Sequence, residues 1–501
     1  MIDVAEYDLE TIKRILAKYA ADCEVRAFGS RVDWTAKDYS DLDLAIIAQG
    51  KIDRRTMALL REAFEESKLP FRVDVLDWHA ISGEFRTLIA NQYETIQSPK
   101  QKYPINWKET TFDNCADLIR NTCQPSEINL VPYIGLEHIE QGTLRLSGHG
   151  LSNDVDSQKF RFSKGDILFG KLRPYFRKII LAPFEGVCST DIWVVQAKKG
   201  IDQRYLYYLM ASNEFVDFSM QGAEGTRMPR AQWEHVGRFD ISLPPEPEQK
   251  AIAHILGTLD DKMELNRRMN KTSEEMARAI FKSWFIEFNF PNNEGKPYKK
   301  SCGKMVDSEM GKVPEGWRMG TLGEEFNITM GQSPPGSTYN ETGEGMPFYQ
   351  GRSDFGFRFP SRRVYCTAPT RFAEAGDTLV SVRAPVGSLN MAEEKCCIGR
   401  GVAAVRHKSN SRSYTYYLMR SIAEEFERFE AEGTVFGSIG KSDFEQIECI
   451  CPPEQVIKDF EVLVFPIDQR IETNERESRT LASLRDALLP KLLSGEIRVK
   501  I

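Results

Sequence analysis

Three aspartates near the amino terminus have the spacing of a metal-dependent nucleotide site. Asp41 and Asp43 stand two residues apart at the start of an apolar run, and Asp74 lies within a later apolar run. Alternation along a strand places Asp41 and Asp43 on one side, while Leu42 and Leu44 face the core. Carboxylates that converge from adjacent strands can hold two Mg²⁺ ions, which orient a nucleoside triphosphate. We therefore expect catalytic and metal-binding roles for the three aspartates, provided that this domain is active.

A turn before these aspartates supplies groups that could bind phosphates. Gly29, Ser30 and Arg31 form this turn, and its backbone N–H groups can point at an anion. The order of the Gly-Ser turn, the Asp-x-Asp pair and the later strand aspartate resembles the minimal nucleotidyltransferase domain of the polymerase beta superfamily, over residues 8–98. The resemblance implies Mg²⁺-dependent nucleotide transfer and a toxin-like partner. The segment 32–34, Val-Asp-Trp, departs from the small residue and glycine usual in that family, which leaves catalysis open.

Basic and aromatic residues cluster later in the chain in two places. Between positions 159 and 178, basic side chains are interleaved with aromatic rings, and a second cluster spans about 352–371. Arginine forks suit guanine edges and phosphates, so a locally positive surface favours DNA binding. The candidate DNA-binding residues are Lys164, Lys171, Arg173, Arg177, Lys178, Arg227, Arg230, Arg352, Arg358, Arg362, Arg363 and Lys441. For any one of them alone, a solvated surface charge is the more common explanation, so the clusters are the stronger observation.

The two clusters lie in two copies of one module. Tyr207-Tyr208-Leu209-Met210 returns as Tyr416-Tyr417-Leu418-Met419, and Pro244-Pro245-Glu246 returns as Pro452-Pro453-Glu454. The offsets are 209 and 208 residues, far longer than the period of a solenoid repeat. Each copy is therefore a domain, and the chain should have two similar binding surfaces. The segment 346–372 has little counterpart in 131–163, so the two surfaces should recognise different sequences.

Each copy ends in a long helical pattern. Apolar residues recur at steps of four and three from Ile252 to Trp284 and from Phe460 to Leu488. Polar residues interrupt both patterns at equivalent places, Asn266 with Asn474 and Asn270 with Ser478. Buried asparagine in such a seam lowers stability but fixes register and orientation. We predict that the two helices pair as an antiparallel coiled coil; the alternative is that each packs on its own domain.

These elements predict a multidomain protein of α/β and α+β class. The domains are a nucleotidyltransferase-like α/β domain at 1–98, α+β target recognition domains at 103–245 and 312–453, long helices at 246–290 and 454–496, and a linker at 291–311. The name of the repeated domains comes from a resemblance. The stretches 244–285 and 484–497 resemble the conserved regions of specificity (S) subunits of type I restriction-modification systems, and 164–174 and 316–324 resemble their target recognition domains.

That resemblance implies how the chain would work. Each target recognition domain would read one half of a split site in double-stranded DNA, and the long helices would hold the halves apart. The helices would bind modification subunits, which carry S-adenosylmethionine and methylate adenine, and a restriction subunit would cleave the DNA. The chain has no Asn-Pro-Pro-Tyr-like tetrapeptide, so we do not expect it to methylate DNA alone.

Composition excludes several classes of protein. Hydrophobic residues make up 41% and charged residues 28%, which are ordinary globular values. No run approaches ~18 apolar residues, and the start of the chain is acidic, so we expect a cytoplasmic protein with no membrane partner. A net charge of −7 gives no global argument for nucleic acid.

Three functions remain open on these grounds. The first is a DNA specificity subunit with an added nucleotidyltransferase-like domain. The second is a Mg²⁺-dependent nucleotidyltransferase that acts on a protein or RNA partner, with the repeats as a DNA-targeting scaffold. The third is a scaffold that only assembles other subunits.

Overall fold

The structure is a computed structural model, and it describes residues 2–37, 40–48, 50–97, 106–225, 227–309, 311–431 and 437–499. The chain divides into two compact units, 1–256 with 487–501, and 257–486. Among the described residues, no helix has the length and apolarity needed to cross a membrane.

The amino-terminal domain alternates helices and strands. Its elements in chain order are α1 Glu6–Tyr19, β1 Glu24–Phe28, β2 Leu42–Ile47, α2 Arg54–Glu65, β3 Val73–Asp77, α3 Gly83–Asn91 and β4 Glu94–Gln97. The strands form one sheet in the order β3-β2-β1-β4, with β2 and β3 parallel. Asp53 begins α2 because its carboxylate accepts hydrogen bonds from the backbone N–H groups of Arg55 and Thr56. Leu42, Leu44 and Ile46 of β2 lie in the core of this domain.

The first repeat follows. Its elements are β5 Lys108–Thr111, β6 Ala116–Ile119, β7 Thr122–Cys123, β8 Pro132–Ile134, β9 Gly150–Leu151, β10 Lys159–Phe162, β11 Ile167–Gly170, β12 Ile179–Leu181, β13 Gly186–Cys188, β14 Ile192–Ala197, α4 Gln203–Ala211, α5 Asn213–Gln221, α6 Trp233–Val236 and β15 Asp240–Leu243. The first long helix, α7, spans Glu246–Phe281 and continues as a π-helical turn at Lys282–Ile286.

The second repeat contains the same kinds of element. They are β16 Met305–Ser308, β17 Gly311–Pro314, β18 Arg318–Thr321, α8 Leu322–Glu325, β19 Phe326–Met330, β20 Tyr339–Asn340, β21 Met346–Tyr349, β22 Tyr365–Cys366, β23 Phe372–Ala373, β24 Thr378–Ser381, β25 Leu389–Met391, β26 Cys396–Ile398, β27 Val402–His407, α9 Arg412–Ser421, α10 Ala423–Ala431, α11 Lys441–Gln446 and β28 Glu448–Cys451. The second long helix, α12, spans Glu454–Leu493. The predicted linker at 291–311 includes β16, which pairs antiparallel with β17.

The two repeats share their sheet topology. One sheet has the order β12-β11-β14-β6 in the first repeat and β25-β24-β27-β19 in the second. In a further sheet of each repeat, one parallel pair occurs at the same place, β13 with β8 and β26 with β21. The first strand of each repeat also pairs with the last, β5 with β15 and β18 with β28. The predicted internal repeat and α+β class are therefore confirmed.

The two long helices pair antiparallel through polar side chains in the middle of their seam. Asn266 donates from Nδ2 to Ser478 Oγ at 3.3 Å and to the carbonyl oxygen of Asn474 at 3.4 Å. Asn474 donates from Nδ2 to Asn270 Oδ1 at 2.8 Å. The predicted antiparallel coiled coil is therefore confirmed, and the ends of both helices also pack in the apolar cores of the repeats.

Candidate functional site

In the first repeat, two loops that are distant in sequence form one surface. The backbone N–H of Arg173 donates to Pro229 O at 2.7 Å, and the N–H of Ala231 donates to Lys171 O at 2.9 Å. Leu172 and Arg230 form a β-bridge between the same two loops. Lys171 and Arg173 thus lie beside Arg230, although 57 residues separate Arg173 from Arg230 in the chain.

The first of these loops has an unusual backbone. Arg173 has a φ of 51° and Arg177 a φ of 48°, both in the left-handed region that non-glycine residues rarely adopt. They flank the short turn Pro174–Phe176. Tyr175 in that turn exposes 48% of its surface. Such strain collects at functional sites, and the exposed ring beside two arginines suits contact with nucleic acid.

The predicted basic residues of this repeat have different roles in the fold. Arg230 pairs with Asp191 at 3.1 Å and remains nearly half exposed, and Arg227 is exposed on the same loop. Arg177 donates to Gly142 O at 2.7 Å, and Lys178 donates to Leu136 O at 2.6 Å. Arg177 and Lys178 therefore hold the segment 136–142 in place, and their side chains are less available to a ligand than predicted.

Lys164 is not brought to this surface. It is exposed in the turn between β10 and β11, whereas Lys171 follows the other end of β11. The four-residue strand between them spans roughly 13 Å at the usual rise per residue. Lys164 therefore lies apart from Lys171 and Arg173, the other predicted DNA-binding residues of this cluster.

The second repeat has the corresponding pair of loops. Arg383 and Ser438 form a β-bridge, and the N–H of Ala384 donates to Gly437 O at 3.0 Å. The loop joins β24 to β25, as the Arg173 loop joins β11 to β12. Arg383 is exposed there, and Lys441 is exposed at the start of α11. Sequence reasoning missed Arg383, but the offset of 211 between Gly165 and Gly376 aligns it with Leu172, next to Arg173.

A further arginine-rich segment of the second repeat, 350–363, lies before β22. Arg352 is exposed and donates to Phe355 O at 3.3 Å. Arg362 pairs with Glu394 at 2.8 Å, and Arg363 pairs with Asp354 at 3.0 Å; both arginines remain about half exposed. These three side chains keep enough exposure to reach a ligand.

Arg358 in the same segment is buried, which is a correction to its predicted DNA contact. Only 1% of its surface is exposed. Its guanidinium donates to Asp468 Oδ1 at 2.6 Å and to Tyr417 Oη at 2.9 Å, and it stacks over the Tyr416 ring at 4.0 Å. Because these partners surround the guanidinium, Arg358 cannot also face DNA in this fold.

The amino-terminal domain places two of its three aspartates side by side. Asp43 and Asp74 are register partners on the parallel strands β2 and β3, and Asp41 is exposed just before β2. Burial raises the pKa of Asp43, and the charges of Asp74 and Asp41 raise it further. Gly29 has a φ of +79°, and a β-carbon there would lie 2.7 Å from Asp43 Oδ2. The glycine turn therefore packs directly against the carboxylate of Asp43.

The side chain of Arg31 in that turn has a structural role, so the predicted contact of this turn with a nucleotide remains a prediction for its backbone N–H groups. It is buried, and its guanidinium donates to Ser40 O at 2.7 and 2.9 Å and to Asp3 O at 2.8 Å. The guanidinium also stacks over Phe71 at 4.0 Å. Ser30 is half-buried and is held in the turn by its carbonyl, which accepts the N–H of Thr35 at 3.0 Å.

The aspartates have the chemistry of a Mg²⁺ site. Magnesium prefers carboxylate oxygens, and a cation would relieve the repulsion that raises the pKa of Asp43. Arg72 also reaches this cluster, because its Nη2 lies 3.1 Å from Asp74 Oδ1. Within the described part of the chain, no three His, Cys, Asp or Glu side chains are already grouped around one metal position.

Comparison with known proteins separates the amino-terminal domain from the two repeats. Residues 104–274 and 314–479 match the family model described as type I restriction modification DNA specificity domain. Residues 10–102 match the model described as polymerase beta, nucleotidyltransferase. The specificity model therefore covers more than half of the chain, once in each repeat.

Individual proteins are similar to these parts of the chain. The chain is 31% identical over 419 residues to a protein of Methanocaldococcus jannaschii described as putative type I restriction enzyme MjaX specificity subunit, covering 79% of this chain and 95% of that protein. It is 46% identical over 100 residues to the probable protein adenylyltransferase MntA of Haemophilus influenzae, covering 20% of this chain and 88% of that protein. A crystal structure of the HsdS subunit from Thermoanaerobacter tengcongensis aligns at 27% identity with a TM-score of 0.32, covering 79% of this chain and 98% of its own.

Proposed function

Because the chain belongs to the type I restriction modification DNA specificity family, we propose that its two repeats each read one half of a split double-stranded DNA site. Its function is that of the DNA specificity subunit of such a system. The observation that carries the proposed readout is the pair of loops that recurs in both repeats, Lys171–Arg173 with Arg230, and Arg383 with Ser438. Each pair presents exposed arginine at one end of a β-sheet, where it can reach phosphates and base edges.

The two half-sites should differ in sequence. The first repeat presents the exposed Tyr175 and Arg230 with the half-buried Arg173, whereas the second presents the exposed Arg383, Arg352 and Arg362. Direct readout depends on which donors and acceptors reach the base edges, so different side chains on a shared scaffold select different bases. Arg227, Arg363 and Lys441, which are also exposed, are assigned to phosphate contacts at the margins of the two surfaces.

The long helices are the proposed docking surface for modification subunits. Met276 on α7 and Leu484 on α12 occupy equivalent repeat positions, 208 residues apart, and expose 55% and 46% of their surfaces. This equivalence of position is what the proposed docking rests on, since a single exposed apolar side chain is by itself an ordinary surface feature. In this proposal the modification subunits bring S-adenosylmethionine and methylate adenine, and a restriction subunit joins the complex to cleave DNA.

A methylation map of the host genome tests the proposal. We expect adenine methylation at a motif of two separated parts, and its loss when the gene is deleted. Restoring the gene with Arg173→Gln and Arg383→Gln together should fail to restore the motif, whereas restoring the natural gene should succeed. Persistence of the motif after deletion would contradict the assigned readout.

A second activity is favoured by the match of the amino-terminal domain to the nucleotidyltransferase model. We propose that this domain transfers a nucleotidyl group from a nucleoside triphosphate to a toxin-like partner protein or to RNA. Asp41, Asp43 and Asp74 would hold Mg²⁺, which neutralises phosphate charge during the transfer. The backbone of Gly29 and Ser30 would face the phosphates, since it adjoins Asp43.

Label transfer tests this second activity. The full chain would be incubated with Mg²⁺, radiolabelled nucleoside triphosphates and candidate partner proteins encoded beside it. Labelling should disappear in Asp41→Ala and in Asp74→Ala and should persist in Asp22→Ala, whose exposed side chain precedes β1. Absence of labelling of every neighbouring partner protein, and of added cellular RNA, would contradict the activity without touching the DNA readout.

A further inference from the structure

The segment 350–363 of the second repeat has one face toward solvent and one toward the long helices. Phe357 exposes 43% of its surface, and Arg352 and Arg362 are also exposed. Arg358, between them, turns inward, and its backbone carbonyl accepts the N–H of Met391 at 2.8 Å. Within a few residues, the segment therefore contains both exposed side chains that are proposed to face DNA and the buried side chain of Arg358.

Arg358 connects this segment to both long helices. Its Nη1 donates to Asp468 of α12 at 2.6 Å, and its Nη2 lies 3.4 Å from Glu274 of α7. All three side chains are nearly inaccessible to solvent. A buried arginine between two carboxylates holds a narrow range of geometries, because a shift leaves charge unpaired in a medium of low dielectric constant.

Other polar contacts fasten the second repeat along α12. Glu461 accepts the backbone N–H groups of Ser413 and Tyr414 at 3.0 and 3.2 Å, so the long helix supplies the amino-terminal cap of α9. Arg412 pairs with Glu472 at 2.8 Å. These contacts, with that of Asp468, recur along one side of α12 and resist sliding of the repeat along the helix.

The equivalent aspartate of α7 has a different partner. Asp260 lies 208 residues before Asp468, and it accepts a hydrogen bond of 2.8 Å from Arg485 of α12. A helix residue thus pairs with Asp260, whereas a residue of the recognition segment pairs with Asp468.

We propose that Arg358 is the positioning residue that sets where the second target recognition domain sits on the long helices, and hence which separation of the two half-sites is accepted. The inference rests on the proposed function, since it presumes that the chain reads a split site. Arg358 does not touch DNA. It acts through the segment 350–363, whose exposed side chains must meet the second half-site in register with the first.

Methylation of DNA with altered spacing tests this role. The specificity subunit would be assembled with its modification subunits and given duplexes in which the mapped half-sites are separated by the natural spacer, or by one base pair fewer or more. The natural chain should strongly prefer its own spacer. In Arg358→Met that preference should fall by roughly tenfold or more, because small misplacement at a reacting centre has effects of this size.

Two further variants separate positioning from stability. Arg358→Met combined with Asp468→Leu removes the unpaired charge and should refold the site, yet it should keep the relaxed spacing. Lys312→Met, at an exposed position of β17 away from the long helices, should behave like the natural chain. Equal loss of methylation on every spacer, or unchanged preference in the folded variants, would overturn the inference. If the natural chain directs no methylation at a split site, the proposed function itself has failed.

Discussion

The side-chain amide of Asn474 donates a 2.8 Å hydrogen bond to the side-chain oxygen of Asn270, and both residues are buried between the two long helices. Asn270 in turn donates to Glu475 Oε1 at 3.0 Å. A shift of one helical turn would leave these groups unpaired in the seam. The pair therefore selects one register for α7 against α12.

Replacement of one asparagine should cost more than replacement of both. Asn474→Leu leaves the Asn270 oxygen buried without a donor, which costs about 1–3 kcal/mol. The double variant Asn270→Leu with Asn474→Leu should recover much of that loss while loosening the register. Hydrogen exchange of peptides from α7 and α12 measures both effects. Strictly additive losses across this double-mutant cycle would show that the two residues do not interact.

Arg173→Gln should weaken DNA binding. Loss of one phosphate or base contact costs about 1–3 kcal/mol, or roughly fivefold to 150-fold in affinity. Fluorescence anisotropy with a duplex that contains the mapped site measures the change. Lys199→Gln is the matched control, because Lys199 is exposed beyond the far end of β14 from Asp191. Equal affinity of the two variants would remove Arg173 from the interface.

Arg383→Gln should affect only the second half-site. The side chain belongs to the second repeat, so base substitutions in the first half-site should be discriminated as in the natural chain. Competition binding with duplexes mutated in one half at a time measures this selectivity. Loss of discrimination in both halves, or in neither, would contradict the assignment of Arg383 to one recognition surface.

Asp74→Asn should stabilise β2 and β3 at neutral pH. The pKa of Asp43 is raised in the folded protein by burial, Asp74 and Asp41, so the folded state binds a proton more tightly than the unfolded state. That contribution to stability is present at acidic pH and is lost as the pH rises through the raised pKa. Removing the charge of Asp74 lowers the pKa of Asp43, so the ionised Asp43 destabilises the folded state less at neutral pH. The substitution also removes the exposed ion pair between Arg72 and Asp74, which contributes little to stability.

Hydrogen exchange of β2 peptides at several pH values, compared with the natural chain at each pH, measures this gain. It should be present near neutral pH and should vanish below the ordinary aspartate pKa. Asp22→Asn, an exposed change outside the cluster, should show no such dependence. A gain that is independent of pH would mean that Asp43 does not sense the charge of Asp74.

Repetition and periodicity in the sequence predicted most of the architecture. The shared offsets near 208 predicted two domains of one topology, and the seam with Asn266 and Asn474 predicted antiparallel pairing. Alternation in β2 and β3 predicted that Asp43 and Asp74 would be close, and they are register partners. These features follow from repetition and from the alternation of polar and apolar residues, both of which can be read from a single sequence.

The contacts of individual arginines could not be predicted in the same way. Arg358 lies in a segment rich in basic and aromatic residues, which is typical of a protein surface. Its burial depends on its pairing with Asp468, which lies 110 positions later in the chain. Arg31 similarly depends on the carbonyl oxygens of Ser40 and Asp3. Charge pattern alone does not reveal whether the tertiary fold supplies buried partners. The DNA contacts of the exposed arginines stay predictions, which the binding measurements above test.

The register of the long helices also has a consequence for how the chain can change. Asn266 contacts Asn474, its own repeat equivalent, which is the arrangement of a self-complementary homodimer interface. Here the two halves are covalently tethered, so their association is intramolecular and independent of protein concentration. Neither half must remain identical to the other for the pair to form. Each recognition surface can therefore change the DNA sequence that it prefers while the pairing of the two helices is kept. A two-fold dimer of identical subunits could not do this, because any change would occur in both subunits.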